Sequence, residues 1–201
     1  MFNRKIFTLK TIPGALKMFD ATAIILAGGK SSRMGQNKSL MKYNDVPMIE
    51  YIYNQLNGKF NEILIGANDT ELYDYLNLKV IKDKKENCGP LMGIISCIEK
   101  SNNDLNFITA CDIPEINMEF VEKMLLESEG YDIIMPVTGV DRYEPLFAVY
   151  RKSVIKPAEE ILNCGKSRII ELFKYLNVKF IQLPENNWYL NINTLEDYHS
   201  V

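Results

Sequence analysis

Residues 23–38, AIILAGGKSSRMGQNK, carry the strongest chemical signal in the chain. An apolar run stops at the pair Gly28-Gly29 and is followed by two serines, Arg33, a third glycine and Lys38. Glycines let the backbone turn sharply and bring its N–H groups close to an anion, and basic side chains add charge. Nucleoside triphosphates are the commonest ligands of such loops. The segment therefore indicates phosphate chemistry, with Lys38 as a mobile charge and Arg33 as a fork for phosphate oxygens.

This glycine-rich loop differs from the two common phosphate-binding signatures. It lacks both the Gly-Lys-Ser/Thr order of a P-loop and the G-x-G-x-x-G of a dinucleotide fold. The structural alternative is a glycine turn between a strand and a helix with basic residues on the surface. The combination of Ser31, Ser32, Arg33, Gly35 and Lys38 favours a binding loop instead.

A second candidate is Asp112, which directly follows the run FITAC at residues 107–111. A carboxylate at the end of a buried strand is costly unless it is paired or binds a cation. Mg²⁺ is commonly held by one or two carboxylates together with substrate phosphates. Asp112 is therefore the candidate metal ligand, and the alternative is an N-cap for a helix that begins near Asn117.

Two further segments lie next to predicted elements. Asp83 follows a short strand and lies among three lysines, where a solvated surface charge is the structural alternative. The sequence Gly89-Pro90-Leu91-Met92-Gly93 opens a helix, because proline suits a first helical turn. Its last glycine permits close packing against a strand or a ligand. On spacing alone, this glycine segment favours a structural role.

Three late features are weak candidates for contacts with a second substrate. Arg142-Tyr143-Glu144-Pro145 precedes a strand and would line an acceptor pocket or form a hairpin turn. Asn191 and Asn193 flank Ile192 in an extended piece, so both amides face one side. They would read the edge of a heterocycle or cap the last helix. Arg168, near the start of a helix, would bind a second phosphate.

Alternating strands and helices predict how these side chains are positioned. Strands are predicted at Thr22–Leu26, Glu62–Ile65, Lys79–Ile81, Asn106–Ala110, Asp132–Val137, Leu146–Tyr150 and Lys179–Leu183, and helices at Pro47–Leu56, Asp69–Leu76, Pro90–Glu99, Met118–Glu129, Ser153–Leu162, Ser167–Leu176 and Thr194–Tyr198. This order predicts an α/β fold, a three-layer αβα sandwich around a mostly parallel sheet. Ligands bind outside the carboxyl ends of such strands, so the glycine-rich loop, Asp83 and Asp112 are expected on one rim.

Composition excludes several classes of function. The net charge of −3 argues against nucleic acid or an anionic membrane as the main partner, and one histidine, His199, argues against histidine-centred chemistry. The four cysteines show no zinc-binding spacing and are expected to be reduced in a cytoplasmic protein. We expect an extension at residues 1–20, for which disorder is the simplest interpretation, and one domain over 21–201.

Five segments, in order, resemble the molybdenum cofactor guanylyltransferases, a branch of the Rossmann-like nucleotidyltransferases. The resemblance runs from about Thr22 to Tyr198 and is carried by Leu26-Ala27-Gly28-Gly29 with Ser32-Arg33-Met34-Gly35 and Lys38, Gly89-Pro90-Leu91-Met92-Gly93, Cys111-Asp112-Ile113-Pro114, Glu144-Pro145-Leu146-Phe147-Ala148, and Asn191-Ile192-Asn193-Thr194. Five ordered matches are far more specific than one. The resemblance implies a fold of the nucleotide-diphospho-sugar transferase type.

The resemblance also implies a reaction. This family joins GTP to molybdopterin with Mg²⁺, giving the guanine dinucleotide form of the cofactor and pyrophosphate. Carried across, it implies catalytic roles for Lys38, Arg33 and Asp112, with Asp112 as the metal ligand and Asp83 at the nucleoside. The implied nucleotide contacts are Leu26, Ala27, Gly28, Gly29, Ser32, Lys38, Asp83, Gly89, Pro90 and Asp112, and the weaker pterin contacts are Arg168, Asn191 and Asn193.

The chain departs from the family pattern at two positions. Asn37 stands where many members carry an aspartate, which leaves one less negative charge near the phosphates. Gly66 stands where some members carry an asparagine, so a side-chain contact to the nucleotide is not expected there.

Two alternatives to guanylyl transfer remain from the sequence. One is a cytidylyltransferase acting on molybdopterin or on a sugar or polyol phosphate, although such relatives tend to begin Leu-Ala-Ala-Gly rather than Leu26-Ala27-Gly28-Gly29. The other is a nucleotide-binding adaptor without turnover, against which Lys38 and Asp112 argue. Other cofactor-assembly proteins or apo-molybdoenzymes are the further partners considered.

Overall fold

The computed structural model describes residues 18–28, 37–184, 189, 192 and 197. Its strands are β1 (Phe19–Leu26), β2 (Lys42–Tyr43), β3 (Val46–Pro47), β4 (Phe60–Gly66), β5 (Lys79–Ile81), β6 (Leu105–Ala110), β7 (Ile133–Gly139), β8 (Arg142–Tyr143), β9 (Phe147–Arg151) and β10 (Val178–Gln182). The α-helices are α1 (Met48–Leu56), α2 (Pro90–Lys100), α3 (Met118–Leu126) and α4 (Ile155–Asn163), with 3₁₀ turns at Lys38–Leu40, Thr70–Leu76, Lys152–Val154 and Ile169–Lys174.

The main sheet has the strand order β10-β7-β9-β6-β1-β4-β5, and β8 pairs with β7. Strand β1 lies between β4 and β6 and is parallel to both. Its last residue, Leu26, is in register with Gly66 of β4 and Ala110 of β6, and Gly66 is in register with Ile81 of β5. Four parallel strands therefore end on one line, which confirms the predicted rim.

Both faces of the sheet are buried. The alternation of β1 sends Ile25 into one apolar cluster and Ile24 into another. The first cluster includes Ile52 of α1, and the second includes Ile95 of α2. Helices thus cover the sheet on both sides, which confirms the predicted αβα sandwich. The sheet is mostly parallel, but β9 runs antiparallel between β6 and β7.

Several predicted elements differ in detail. The segments predicted as helices at Asp69–Leu76 and Ser167–Leu176 form shorter 3₁₀ turns, and α3 ends at Leu126 rather than Glu129. Short runs without a long apolar face gain too little from burial to complete an α-helix. The antiparallel β2–β3 pair was not predicted, and β1 begins at Phe19 rather than Thr22.

Two predictions fall wholly or largely outside the described residues. These are the extension at residues 1–20, of which 1–17 lie outside the described part, and the last helix at Thr194–Tyr198. The division of the chain at residue 20 stays a prediction. In the part of the chain that the structure describes, no helix has both the length and the apolar character that crossing a bilayer requires.

Arg151, at the end of β9, joins three elements in the interior. Only 7% of this residue is exposed. Its Nε donates to the Tyr131 carbonyl at 2.9 Å, one terminal nitrogen donates to Asp104 at 2.5 Å, and the other to the Ser128 carbonyl at 3.1 Å. Because every side of the guanidinium has an acceptor, the cost of burying its charge is offset.

We expect Arg151→Met to lower the free energy of unfolding by about 2–3 kcal/mol, because it leaves two carbonyls and a carboxylate without their donor. Urea denaturation measures this directly. The control, Lys174→Met, removes a 62% exposed lysine from a surface ion pair and should change stability by about 0.5 kcal/mol or less. Equal effects of the two substitutions would contradict the structural role of Arg151.

Candidate active site

A cavity of about 700 Å³ opens at the carboxyl ends of β1, β4, β5 and β6. This volume is typical of pockets for small molecules. The N-terminal end of α2 reaches the same cavity through Gly89, Pro90 and Gly93. Gly89 adopts a φ of 74°, which a glycine takes without strain, and the proline follows at the first helical position. A helix N-terminus at the wall favours negatively charged ligands.

Most of the site residues predicted from the sequence line this cavity. Those that do so are Leu26, Ala27, Gly28, Lys38, Asp83, Gly89, Pro90 and Asp112. Arg168 is exposed and is not among the lining residues, although its neighbour Ser167 lies close to Gly89. The remaining predicted residues, Gly29, Ser32, Arg33, Asn191 and Asn193, lie outside the described part of the chain.

Lys38 and Asp112 are brought together through the main chain of Ile192. The ammonium of Lys38 donates to the Ile192 carbonyl at 3.1 Å, and the Ile192 N–H donates to the Asp112 carbonyl at 2.8 Å. Ile192 itself is 2% exposed, so this connection lies within the packed interior. Three segments distant in sequence therefore meet at one end of the cavity.

Burial raises the pKa of the Asp112 carboxyl, and the nearby charge of Lys38 and a backbone hydrogen bond lower it in part. The net shift of the pKa is upward, so the positive charge provided by the protein does not fully offset the desolvation of the carboxylate.

The alternative role of Asp112 as a helix N-cap is wrong, because Asn117 is the N-cap of α3 and its side chain accepts from the Phe120 N–H.

The donor set around Asp112 fits one kind of metal ion. Among the described residues there is no group of three His, Cys, Asp or Glu side chains that would hold a metal ion by itself. A cation there would take one protein carboxylate and complete its shell with phosphate oxygens and water, as Mg²⁺ commonly does with nucleotides. The protein offsets the negative charge of Asp112 only in part, which is consistent with a bound cation at this position.

Asp83 presents a fixed carboxylate on the other side of the cavity. The Asn68 amide donates to Asp83 Oδ2 at 3.3 Å, and the Asp83 N–H donates back to Asn68 Oδ1 at 3.0 Å. A Cβ at Gly93 would lie 3.3 Å from Asp83 Oδ1, so the glycine leaves that oxygen accessible. Burial raises the pKa of Asp83. The site therefore holds an oriented acceptor for a ligand with N–H or O–H donors.

Close packing explains why position 66 is a glycine, and the sequence alone does not reveal this. A Cβ at this position would lie 2.7 Å from Leu26 Cδ2 and 2.8 Å from Cys97 Sγ. An asparagine would therefore force its neighbours to move. Asn68, two residues further on, is an amide that lines the cavity in this chain.

Sequence reasoning did not identify several residues that line the cavity, and Asn68 and Tyr73 are two of them. Asn68 follows the end of β4, as Asp83 follows β5, so its place after a parallel strand was a usable signal. Tyr73 lies inside a 3₁₀ turn and is 1% exposed. Nothing in its spacing distinguishes it from an ordinary core residue.

Comparisons with known proteins agree with this geometry. Residues 23–178 match the family model described as MobA-like NTP transferase domain. A probable molybdenum cofactor guanylyltransferase of Carboxydothermus hydrogenoformans is 38% identical over 192 residues, covering 92% of this chain and 96% of its own. A protein of the same description from Aquifex aeolicus is 30% identical, covering 88% of this chain and 87% of its own.

Solved structures share the fold. The molybdopterin-guanine dinucleotide biosynthesis protein A of Archaeoglobus fulgidus superposes with a TM-score of 0.76 at 22% identity, covering 89% of this chain and 95% of its own. A CMP:2-keto-3-deoxy-manno-octonic acid synthetase complexed with CTP gives 0.70 at 14% identity, covering 90% and 95%. These likenesses confirm an α/β nucleotidyltransferase fold of the nucleotide-diphospho-sugar transferase type.

Asp112→Asn is expected to stabilise the protein without ligands at neutral pH. Because the folded-state pKa of Asp112 lies above its unfolded value, the stability linked to its protonation is present at low pH and lost as the pH rises through the folded pKa. The melting temperature of the variant should therefore be about 1–3 °C above that of the wild type at pH 7. At about pH 3 the two melting temperatures should be equal.

Thermal unfolding at both pH values measures this difference. Asp74→Asn, at an exposed position of the Thr70–Leu76 turn, is the control and should leave the melting temperature unchanged. If Asp112→Asn melted below the wild type at pH 7, the carboxylate would be stabilising and the burial argument would be wrong.

Proposed function

The chain belongs to the MobA-like NTP transferase family, and from that membership we propose that it transfers GMP from GTP to molybdopterin, releasing pyrophosphate. The observation that carries the proposal is the meeting of Lys38 and Asp112 beyond the ends of four parallel strands. A lysine charge and a half-buried carboxylate in one cavity suit a triphosphate accompanied by a divalent cation.

Charge neutralisation is the main task of this site. Lys38 would hold phosphate oxygens, and Gly28 would offer a backbone N–H group. Asp112 would hold Mg²⁺, which withdraws charge from the phosphates when it is bound. Arg33, Gly29 and Ser32 are proposed to complete the phosphate contacts, on the basis of the family resemblance.

The chemical step is an in-line displacement at the α-phosphorus of GTP. A terminal phosphate oxygen of molybdopterin forms the new O–P bond, and the bond from the α-phosphorus to the bridging oxygen breaks as pyrophosphate leaves. A phosphate monoester is largely ionised at neutral pH, so the attacking oxygen needs no strong general base. Catalysis by the protein then consists of alignment and of stabilising the charge that develops on the leaving group.

Asp83 is proposed to read the guanine base. Guanine presents two adjacent donors, the N1–H and the 2-amino group, and a carboxylate accepts from both. Cytosine has no such pair of donors, so this contact favours GTP over CTP. The support for the assignment is the accessible Oδ1 beside Gly93 and the orientation that Asn68 gives the carboxyl group.

The acceptor side is proposed from the family resemblance alone. Arg168, Asn191 and Asn193 would face the pterin, and Arg168 is exposed next to the cavity wall. Contacts with other cofactor-assembly proteins or apo-molybdoenzymes, and a cytoplasmic location, stay predictions.

A coupled assay tests the activity itself. Purified protein is incubated with Mg²⁺, molybdopterin and GTP, and pyrophosphate and the dinucleotide product are both measured. Pyrophosphate that appears only when molybdopterin is present supports the proposal. Turnover with CTP instead of GTP would place the protein among the cytidylyltransferases. Nucleotide binding without pyrophosphate release from either triphosphate would support an adaptor.

Asp112→Asn should reduce kcat by about 10²–10³-fold while the protein stays folded, because the metal and the phosphate charge lose their anchor. Steady-state kinetics with GTP and molybdopterin measure this loss. The matched control is Glu115→Gln on the same loop, since Glu115 accepts from the hydroxyls of Tyr43 and Tyr51 rather than facing the cavity. It should keep kcat within about threefold. Normal turnover of Asp112→Asn would remove its assigned role.

Asp83→Asn should move base preference from guanine towards xanthine. Xanthine carries a carbonyl where guanine has its 2-amino group, and an asparagine amide can donate to that carbonyl. We expect the ratio of GTP to XTP affinity to fall by about 10–100-fold, the value of one good two-point contact to a base. Competition binding with the two triphosphates gives the ratio.

Asp69→Asn is the control for this experiment, because Asp69 also lines the cavity and the substitution removes the same charge. It should change both affinities alike. An unaltered GTP to XTP ratio in Asp83→Asn would show that Asp83 does not contact the base.

A further inference from the structure

The hydroxyl of Tyr73 is a junction between the end of β1 and the segment that carries Lys38. It accepts from the Asn37 amide at 3.3 Å. Because Ser39 Oγ donates its own proton to Asn37 Oδ1, the Tyr73 proton goes to Ser39 Oγ at 2.9 Å, and the Ala27 carbonyl at 3.4 Å is a longer and weaker acceptor for the same proton. Ala27 directly follows β1, and Asn37 and Ser39 flank Lys38 in the chain. One buried oxygen thus links the two described ends of the glycine-rich region.

The ring of Tyr73 places this oxygen where water has little access. Tyr73 is 1% exposed and packs in the same apolar cluster as Ile25 and Ile65. A buried hydroxyl without partners is costly, so its contacts to Ser39, Asn37 and Ala27 are the reason that it is tolerated there. A phenylalanine would fill the same space and make none of them.

Asn37 completes the junction in a way that an aspartate cannot. Its Oδ1 accepts from the Ser39 N–H at 3.1 Å and from Ser39 Oγ at 2.7 Å, and its Nδ2 donates to Tyr73. An ionised aspartate would keep the first two contacts but could pair with Tyr73 only by accepting its single proton, which Ser39 Oγ accepts in this chain. The departure from the family pattern at position 37 therefore has a structural use in this chain.

Lys38 is consequently held both through its backbone and through its ammonium group. Its backbone lies between Asn37 and Ser39, whose side chains both contact the Tyr73 hydroxyl, and its ammonium donates to the Ile192 carbonyl at 3.1 Å. A lysine side chain has several rotatable bonds, so the position of its charge depends strongly on where its backbone is fixed. Displacing that backbone would move the charge away from Asp112.

We propose that Tyr73 is a positioning residue for the triphosphate, and that its hydroxyl sets the place of the Lys38 charge. This inference rests on the proposed role of Lys38 at the phosphates. It assigns Tyr73 no contact with the reacting atoms. The role is specific to the phosphate part of the nucleotide, because the junction is to Lys38 and its neighbours, whereas Asp83 lies on another strand end.

The test compares GTP with guanosine, which lacks the phosphates. Tyr73→Phe should weaken GTP binding by about 5–20-fold in calorimetry, a range typical of losing a buried hydroxyl contact. The affinity for guanosine, measured by ligand-observed NMR, should stay within about twofold of the wild-type value. Tyr75→Phe removes the hydroxyl of a tyrosine that is 53% exposed on the same turn, and should leave both affinities unchanged.

A double-mutant cycle separates this inference from the proposed function. If Tyr73 acts through Lys38, Tyr73→Phe should cost little further GTP affinity in a Lys38→Met background. Equal losses for GTP and guanosine, or additive losses in the cycle, would overturn the positioning role. Lys38→Met with unchanged GTP affinity would instead show that the assignment of Lys38 to the phosphates is wrong.

Discussion

Burial of the sheet on both faces is the constraint on which this site depends. Strands β1, β4 and β6 have helices on either side, so charged side chains in the middle of these strands would be desolvated without partners. Charges are tolerated just beyond the carboxyl ends, and the register aligns Leu26, Gly66, Ile81 and Ala110 there. The functional side chains of four strand ends are therefore concentrated on one rim.

The site uses main-chain contacts to join segments that are far apart in sequence. The backbone of Ile192 connects Lys38 to Asp112, and the hydroxyl of Tyr73 connects Lys38's neighbours to Ala27. The charge of Lys38 does not fully offset the burial of Asp112, whose pKa stays raised. A fold that keeps a carboxylate in this state loses some stability without its ligand, which is the usual cost of a site prepared for charge.

Elements with strong local patterns were predictable, and contacts made by long-range packing were not. The buried run that ends at Leu26 and the helix opened by Pro90 are encoded by adjacent residues, and the structure has both. The rim position of Asp112 followed from its place after a strand. Tyr73 and the packing at Gly66 could not be predicted, because their roles depend on Ala27, Leu26 and Cys97, which come from other elements. The segment predicted as a helix at Asp69–Leu76 forms a 3₁₀ turn, because a short run with a small apolar face gains too little from burial to complete an α-helix.

Calorimetric titration of the purified protein with GTP, CTP and ATP, each with and without Mg²⁺, tests the central claim most directly. The account predicts that GTP binds more tightly than either of the others and that Mg²⁺ strengthens its binding, because Asp83 reads the base and Asp112 anchors the cation. Tighter binding of CTP, or GTP affinity that does not respond to Mg²⁺, would contradict it.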